Sequence, residues 1–195
     1  MSILFILDSS IHTQPFVEPY MKCIETVLNE RRKIKDTTPV SIATYAERTE
    51  LRNINTPLHL LPPPKIEPNG NRAFCDAVCA LLIRYQKFVE SVKIKNIHYV
   101  VIFSSGREDA SRLTGPKELF YQLLQHKMFG WKFIFVGQDD ISIKIAQACG
   151  FNVRIKYSPT ENSLNKVSLV LLDVLKDGLD DLTKPFEDFT ADVSS

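Results

Sequence analysis

The stretch Ile3-Leu4-Phe5-Ile6-Leu7-Asp8-Ser9-Ser10-Ile11-His12 decides the fold. Its apolar run predicts a short buried strand of a parallel sheet, and the strand leads directly into an acid and two hydroxyls. In an open parallel sheet, ligands gather outside the carboxyl ends of the strands, near the point where the strand order reverses. Carboxylate and hydroxyl oxygens are ligands that Mg2+ takes in proteins. Asp8 and Ser10 are therefore either a metal site or what is left of one.

The composition is that of an ordinary globular domain. At 195 residues and 44% hydrophobic, the chain can bury a full core. A formal net charge of +1 gives no bulk attraction for nucleic acid or an anionic membrane, and we expect neither as a partner. We also expect no signal peptide and no membrane span. The expected location is cytoplasmic or otherwise intracellular, or within a virion if the protein is viral.

Strand and helix patterns alternate along the chain. Regular alternation of this kind predicts an α/β fold, with helices covering both faces of a mostly parallel sheet. We expect a three-layer, doubly wound, six-stranded sheet. The expected strands cover residues 3–7, 39–45, 98–103, 131–136 and 152–157, with a short third strand at either 50–54 or 58–61. The expected helices cover residues 15–33, 72–92, 116–127, 141–149 and 163–175.

Three stretches, taken together, resemble the motifs of a known domain family. Residues 5–12 are similar to an apolar strand ending in D-x-S-x-S, and residues 69–77 lie where the family has G-G-T-x-L-x-D-A. Residues 101–106, Val-Ile-Phe-Ser-Ser-Gly, occupy the position of a strand ending in T-D-G. The chain resembles a von Willebrand factor A-type (VWA) domain over residues 2–176. The resemblance implies a Rossmann-like VWA domain at residues 1–178. From Asp180 on, the sequence is acidic and weakly periodic, so we expect an acidic C-terminal tail at 179–195 in which residues 180–195 have no packed regular structure.

Two further motifs indicate which subgroup of the family the chain resembles. Gly106-Arg107-Glu108-Asp109-Ala110-Ser111-Arg112 and Gly130-Trp131-Lys132-Phe133-Ile134-Phe135-Val136-Gly137 resemble segments of stand-alone intracellular VWA domains. Such domains read G-E-E-N-A-S-R and G-W-E-F-I-F-L-G, and they occur in bacteria, phages and large DNA viruses.

The family's metal-ion-dependent adhesion site is degenerate in this sequence. The resemblance implies a magnesium or manganese site built from an Asp, two Ser, a Thr and a second Asp. Asp8 and Ser10 keep their positions, while His12, Arg72 and Ser105 replace the second Ser, the Thr and the second Asp. A guanidinium in the pocket works against a dication, and the remaining oxygens are too few for Mg2+. We expect no cofactor, with bound Mg2+ as the alternative.

The charge of Asp8 then needs another partner, and two arrangements are open. In the first, the Arg72 guanidinium folds inward and pairs with Asp8, with Ser10 and Ser105 as hydrogen-bond partners. In the second, Arg72 points to solvent and backbone N–H groups satisfy Asp8.

The sequence favours a non-enzymatic protein-interaction module over an enzyme. No phosphate-binding glycine loop is present. Nothing in the sequence indicates an acid that would orient His12 as a base for Ser9 or Ser10. The expected partner is another protein or an assembly subunit. Two alternatives remain, a structural subunit of a large assembly such as a virus particle and an auxiliary factor to an ATPase or metal-resistance system. The candidate binding residues are His12, Arg72, Arg107, Phe186 and Phe189.

Overall fold

The computed structural model describes residues 1–94, 98–158, 160–180 and 189–194, with the backbone alone for 177–180 and 189. Strands and helices alternate through most of this range. The strands are β1 (Ser2–Asp8), β2 (Pro39–Tyr45), β3 (Thr49–Pro57), β4 (His98–Phe103), β5 (Lys132–Gly137), β6 (Val153–Lys156) and β7 (Phe189–Asp192). The helices are α1 (Val17–Lys33), α2 (Phe74–Ser91), α3 (Pro116–Met128), α4 (Asp140–Ala148) and α5 (Glu161–Asp180).

The strands form one sheet in the order β3-β2-β1-β4-β5-β6-β7. All neighbouring pairs are parallel except β2 and β3, which are antiparallel. The predicted α/β class with a mostly parallel sheet is confirmed. The sheet has seven strands instead of the expected six because the C-terminal segment adds β7.

The helices cover both faces of the sheet and create two hydrophobic cores. Ile3, Phe5 and Leu7 of β1 pack in one core with residues of α1 and α5. Leu4 and Ile6 point the other way and pack with residues of α2, α3 and α4. This alternation follows from the two-residue period of a strand. The expected three-layer arrangement is therefore the observed one.

The topology places the end of β1 at the point where the strand order reverses. The chain leaves β1 towards β2 and β3 on one side, and β4 to β7 extend the sheet on the other side. The strand order therefore reverses between β1 and β4, where ligands bind in folds of this type. Because β1 is paired on both edges, its last residue, Asp8, is carried into the interior and is 0% exposed.

The structure decides between the two positions left open for the third strand. β3 covers Thr49–Pro57 and thus includes the first candidate range, while Leu58–Leu60 form a 3-10 turn. β3 pairs with β2 through an irregular register, with shifts between Val40 and Ile42 and between Ile42 and Ala43. An antiparallel edge strand follows naturally here because only three residues connect it to β2.

The C-terminal segment contradicts one expectation. We expected residues 180–195 to lack packed regular structure, yet residues 189–192 form β7 in parallel with β6. The Lys156 ammonium pairs with Asp192 at 2.8 Å, and the Val193 N–H donates to the Lys156 carbonyl at 2.8 Å. Phe186 lies outside the described residues, and Phe189 is the first residue of β7.

Candidate functional site

The candidate site lies at the carboxyl ends of β1 and β4, between three loops. Backbone hydrogen bonds tie these loops together. The Ser9 N–H donates to the Tyr45 carbonyl at 2.7 Å, and the Asn69 N–H donates to the Ser9 carbonyl at 2.7 Å. The Ile11 N–H donates to the Gly70 carbonyl at 3.0 Å. The loop after β1 is thus fixed to the end of β2 and to the loop that precedes α2.

Asp8 is a buried carboxylate with only part of its hydrogen-bonding capacity used. Oδ1 accepts from the Ser10 N–H at 2.9 Å, as in the second of the two expected arrangements. Oδ2 and the Ser10 hydroxyl are buried and have no hydrogen-bond partner in the part of the chain that the structure describes. Burial raises the pKa of Asp8 above its ordinary value, and the Ser10 N–H and the charge of Arg72 offset part of this rise.

Arg72 lies inside the site but pairs with a residue that we did not expect. Its side chain is only 12% exposed. Nε donates to Oδ2 of Asp109 at 2.7 Å, and Nη1 donates to the Ser105 hydroxyl at 2.9 Å. Within the described residues, Arg72 and Asp8 share neither a hydrogen bond nor an ion pair. Both expected positions of Arg72, paired directly with Asp8 or pointing to solvent, are therefore wrong, although its contact with Ser105 was expected.

Asp109 is the residue of the site that sequence reasoning missed. Its carboxylate receives the Arg72 bond and lies 3.5 Å from Nε2 of His12. The hydrogen bond from Arg72 holds the pKa of Asp109 below its ordinary value. The Asp109 and Ala110 N–H groups also donate to the Arg72 carbonyl, at 3.0 and 2.9 Å. Asp109 lies in the motif of residues 106–112, but no sequence spacing predicts its contact with Arg72, which is 37 positions earlier.

The loop that carries Asp109 is anchored on the first turn of α2. The Asp76 carboxylate accepts the backbone N–H groups of Arg112, Leu113 and Thr114, at 2.7, 3.1 and 2.6 Å. The Glu108 carboxylate accepts the N–H of Cys75. Such side-chain bonds satisfy backbone donors that loops and helix starts leave unpaired. They hold the loop after β4 in one place relative to Arg72.

A tight turn shapes the other side of this loop. The Ser104 hydroxyl accepts the Gly106 N–H at 2.8 Å and also forms a hydrogen bond with the Tyr45 hydroxyl. Gly106 has φ +64°, and a Cβ there would lie 3.3 Å from Phe135. The left-handed backbone favours glycine at this position, and a Cβ there would also require the Phe135 ring to move by a few tenths of an ångström.

The structure brings some of the predicted site residues together and places others elsewhere in the fold. The structure brings Asp8, Ser10, Arg72 and Ser105 to one place and connects His12 to them through Asp109. Arg107 instead pairs with Asp139 at the start of α4, at 2.6 Å. Phe189 begins a strand that lies four positions from β1 in the sheet.

The donor set at this site suits a divalent cation poorly. Its unpartnered oxygens are Asp8 Oδ2 and Ser10 Oγ, whereas Mg2+ requires about six oxygens in near-octahedral geometry. The guanidinium of Arg72, which is always charged, also occupies the site and binds Ser105. Throughout the described ranges, no three His, Cys, Asp or Glu side chains are grouped as metal ligands.

Solved structures show the same fold at low sequence identity. The vWF domain of the type V pili tip protein Mfa5 from Porphyromonas gingivalis has a TM-score of 0.58 at 6% identity, over 87% of this chain and 94% of that one. The ArnB paralog VWA2 from Sulfolobus acidocaldarius has a TM-score of 0.57 at 14% identity, over 89% and 44%. Proximal thread matrix protein 1 from the mussel byssus has a TM-score of 0.60 at 11% identity, over 89% and 45%.

These likenesses establish a VWA-type fold. The chain spans less than half the length of the archaeal and mussel proteins. No protein-family model matches the sequence, and comparison with curated protein sequences finds no match. None of the helices described is long and apolar enough to cross a membrane.

The raised pKa of Asp8 predicts that its charge weakens the fold at neutral pH. The folded protein holds the Asp8 proton more tightly than the unfolded chain, so stability falls as pH rises from the unfolded pKa of about 3.9 through the raised value. Asp8→Asn keeps an acceptor for the Ser10 N–H and removes the charge. It should raise the free energy of unfolding at pH 7, and the gain should shrink at pH 3, as measured by urea denaturation.

Asp109→Asn is the matched control, and its expected change in stability at pH 7 has the opposite sign. Because the folded pKa of Asp109 is lowered, its ionised form stabilises the fold above the unfolded pKa, and this contribution disappears as pH falls. Asp109→Asn should therefore destabilise the protein at pH 7 and have little effect at pH 3. A loss of stability at pH 7 in Asp8→Asn would contradict our description of the buried carboxylate.

Proposed function

We propose that this chain is a non-enzymatic protein-interaction module of VWA type, in which Arg72 replaces a metal ion at the binding face. The observation that carries the proposal is the position of Arg72, held inside the site by Asp109 and Ser105. In the family that the sequence resembles, the corresponding residue is a metal ligand. Here a fixed cation of the protein itself lies close enough to Asp8 for its charge to offset part of the rise in the pKa of that carboxyl. Its partner would be another protein or an assembly subunit.

The polar groups of the site support a binding role more than a catalytic one. The Ser9 hydroxyl donates to the Tyr45 carbonyl at 2.9 Å, and His12 faces Asp109. Neither serine of this loop forms a hydrogen bond with His12 in the described part of the chain. Nucleophilic catalysis needs a hydroxyl within hydrogen-bonding reach of its base.

The exposed rim of the site gives a partner something to contact. The side chains of His12 and Asp109 are 46% and 34% exposed. Nη2 of Arg72 makes no hydrogen bond among the described residues, so this edge of the guanidinium remains available as a donor. A backbone carbonyl or a carboxylate of the partner would accept from it.

A structural subunit of a large assembly is the second candidate. A pilus tip protein and a thread matrix protein are among the structures with this fold, and both names describe components of extended assemblies. The same face around Arg72 would then contact a neighbouring subunit. The two candidates differ in whether the native protein is recovered free or within a stoichiometric particle.

Restoring the family's ligand set should create a metal site where the natural chain has none. The change is the triple variant His12→Ser, Arg72→Thr and Ser105→Asp, which removes the guanidinium and, together with Asp8 and Ser10, gives five oxygen-bearing ligand side chains. In isothermal titration with millimolar Mn2+, the triple variant should give a one-site isotherm and the natural chain no site-specific heat. Adding Asp8→Ala to the triple variant should abolish the heat. A one-site isotherm of the natural chain that Asp8→Ala removes would contradict the proposal.

The binding face itself can be tested in the cells that make the protein. A photo-crosslinking amino acid at position 12 should give an adduct of one defined mass, identified by mass spectrometry. Position 33 at the end of α1, where the Lys33 side chain is 69% exposed, serves as the matched control and should give no such adduct. Arg72→Ala should strongly reduce the adduct at position 12. Equal adducts at both positions, or no effect of Arg72→Ala, would contradict a partner site at this face.

A further inference from the structure

Helix α3 is apolar on two opposite faces. Leu119, Leu123 and His126 face the core and are 0 to 3% exposed. At about 100° per residue, the opposite side of the helix forms a second apolar stripe. This stripe, the α3 face, consists of Phe120, Tyr121, Leu124 and Met128, which are 37, 52, 45 and 81% exposed.

No other described helix presents such a stripe. Helix α2, helix α4 and the described part of α5 each expose one large apolar side chain, and α1 exposes none; the three are Ile83, Ile141 and Leu169. Single apolar residues on a surface are ordinary, whereas a contiguous patch marks an interaction site. A helix that is apolar all round is normally covered on both sides.

The stripe continues beyond both ends of the helix. Leu113 lies just before α3 and is 90% exposed, and Phe129 follows its last residue and is 73% exposed. Near the C-terminal end, a cavity of about 340 Å³ opens between α2 and α3, lined by Gln86, Gln125, His126, Met128 and Phe129. The thirteen residues of α3 span roughly 20 Å, which is enough to contact three turns of another helix.

Two exposed cations, Arg112 and Lys117, flank the N-terminal end of the α3 face. They take part in no ion pair among the described residues. The carboxylate of Glu118 accepts the Gly115 N–H at 3.0 Å, and that of Asp76 accepts the backbone N–H groups of residues 112–114. Both carboxylates are oriented towards backbone N–H groups, and among the described residues neither forms an ion pair with Arg112 or Lys117.

This charge distribution argues against a second copy as the occupant. Two α3 faces packed antiparallel would place Lys117 of each chain opposite the Met128 and Phe129 end of the other, where residues 125–131 include no acidic residue. Packed parallel, they would bring Lys117 near Lys117. Like charges at a helix–helix contact are destabilising, whereas acidic residues opposite Arg112 and Lys117 would be favourable.

We propose that the α3 face binds an amphipathic helix of a partner protein that carries acidic residues beside its apolar stripe. The apolar side chains of Phe120, Tyr121, Leu124 and Met128 recur at the three- and four-residue spacing that packs against the ridges of a second helix. Arg112 and Lys117 then pair with the acidic flank and fix its orientation. This surface is separate from the face around Arg72 and goes beyond the function proposed above.

Two designed helical peptides test the proposal on the full chain. Both carry leucines at positions i, i+3, i+4 and i+8; one has glutamates beside the stripe and the other has lysines there. In fluorescence anisotropy, the glutamate peptide should bind saturably, and the lysine peptide should bind at least about tenfold more weakly. In an amide NMR titration, the glutamate peptide should shift the resonances of α3. Equal binding of the two peptides, or no saturable binding of the glutamate peptide, would overturn the proposal.

Variants locate the binding to the α3 face. Leu124→Lys and Tyr121→Lys change exposed side chains and should each weaken binding by at least about tenfold without changing the thermal unfolding curve. Leu169→Lys on α5 alters a single exposed leucine and should leave binding unchanged. Arg72→Ala should also bind the peptide normally, which separates this surface from the one around Arg72. Unchanged binding in Leu124→Lys would overturn the proposal, as would a dimer in sedimentation equilibrium that Leu124→Lys abolishes.

Discussion

The burial of the Asp8 carboxylate is the constraint on which the rest of the site depends. β1 is hydrogen-bonded to a neighbouring strand on both edges, and the residue at its carboxyl end, Asp8, is buried. An ionised group in such a position is costly unless positive charge or hydrogen-bond donors compensate it. One backbone N–H from Ser10 and the nearby charge of Arg72 do this in part, and the pKa of Asp8 stays raised.

The position of Arg72 depends in turn on a chain of contacts that ends on α2. Asp76 fixes the backbone after residue 111, and this holds the loop that carries Asp109. Asp109 and Ser105 then orient the guanidinium through Nε and Nη1. A guanidinium held by two bonds presents a defined edge to a partner, and little further ordering is needed on binding. The proposed binding face is therefore part of the fold before any partner arrives.

The sequence predicted those features that depend on local pattern. The apolar run of β1 and the periodic helices were identifiable because each pattern is repeated over several residues. β7 was missed because Phe-Thr-Ala-Asp is short and acidic, and it becomes a strand by pairing with β6 and with Lys156. The Arg72–Asp109 pair was missed because loop geometry joins two residues that share no periodic relation. Sequence reasoning identified Arg72 as a candidate residue of the site but not Asp109, the residue that receives its charge.

Asp109 and Ser105 hold the Arg72 guanidinium in the site, where we propose that it takes the place of a metal ion. The Nε–H resonance of Arg72 in ¹⁵N NMR tests this most directly. A hydrogen bond to the Asp109 carboxylate at 2.7 Å predicts a separate signal that exchanges slowly with water, stays unchanged in millimolar Mg2+ and is lost in Asp109→Asn. An Arg72 signal that exchanges as fast as those of exposed arginines, or that shifts with Mg2+ as a bound ion displaces the side chain, would contradict the claim.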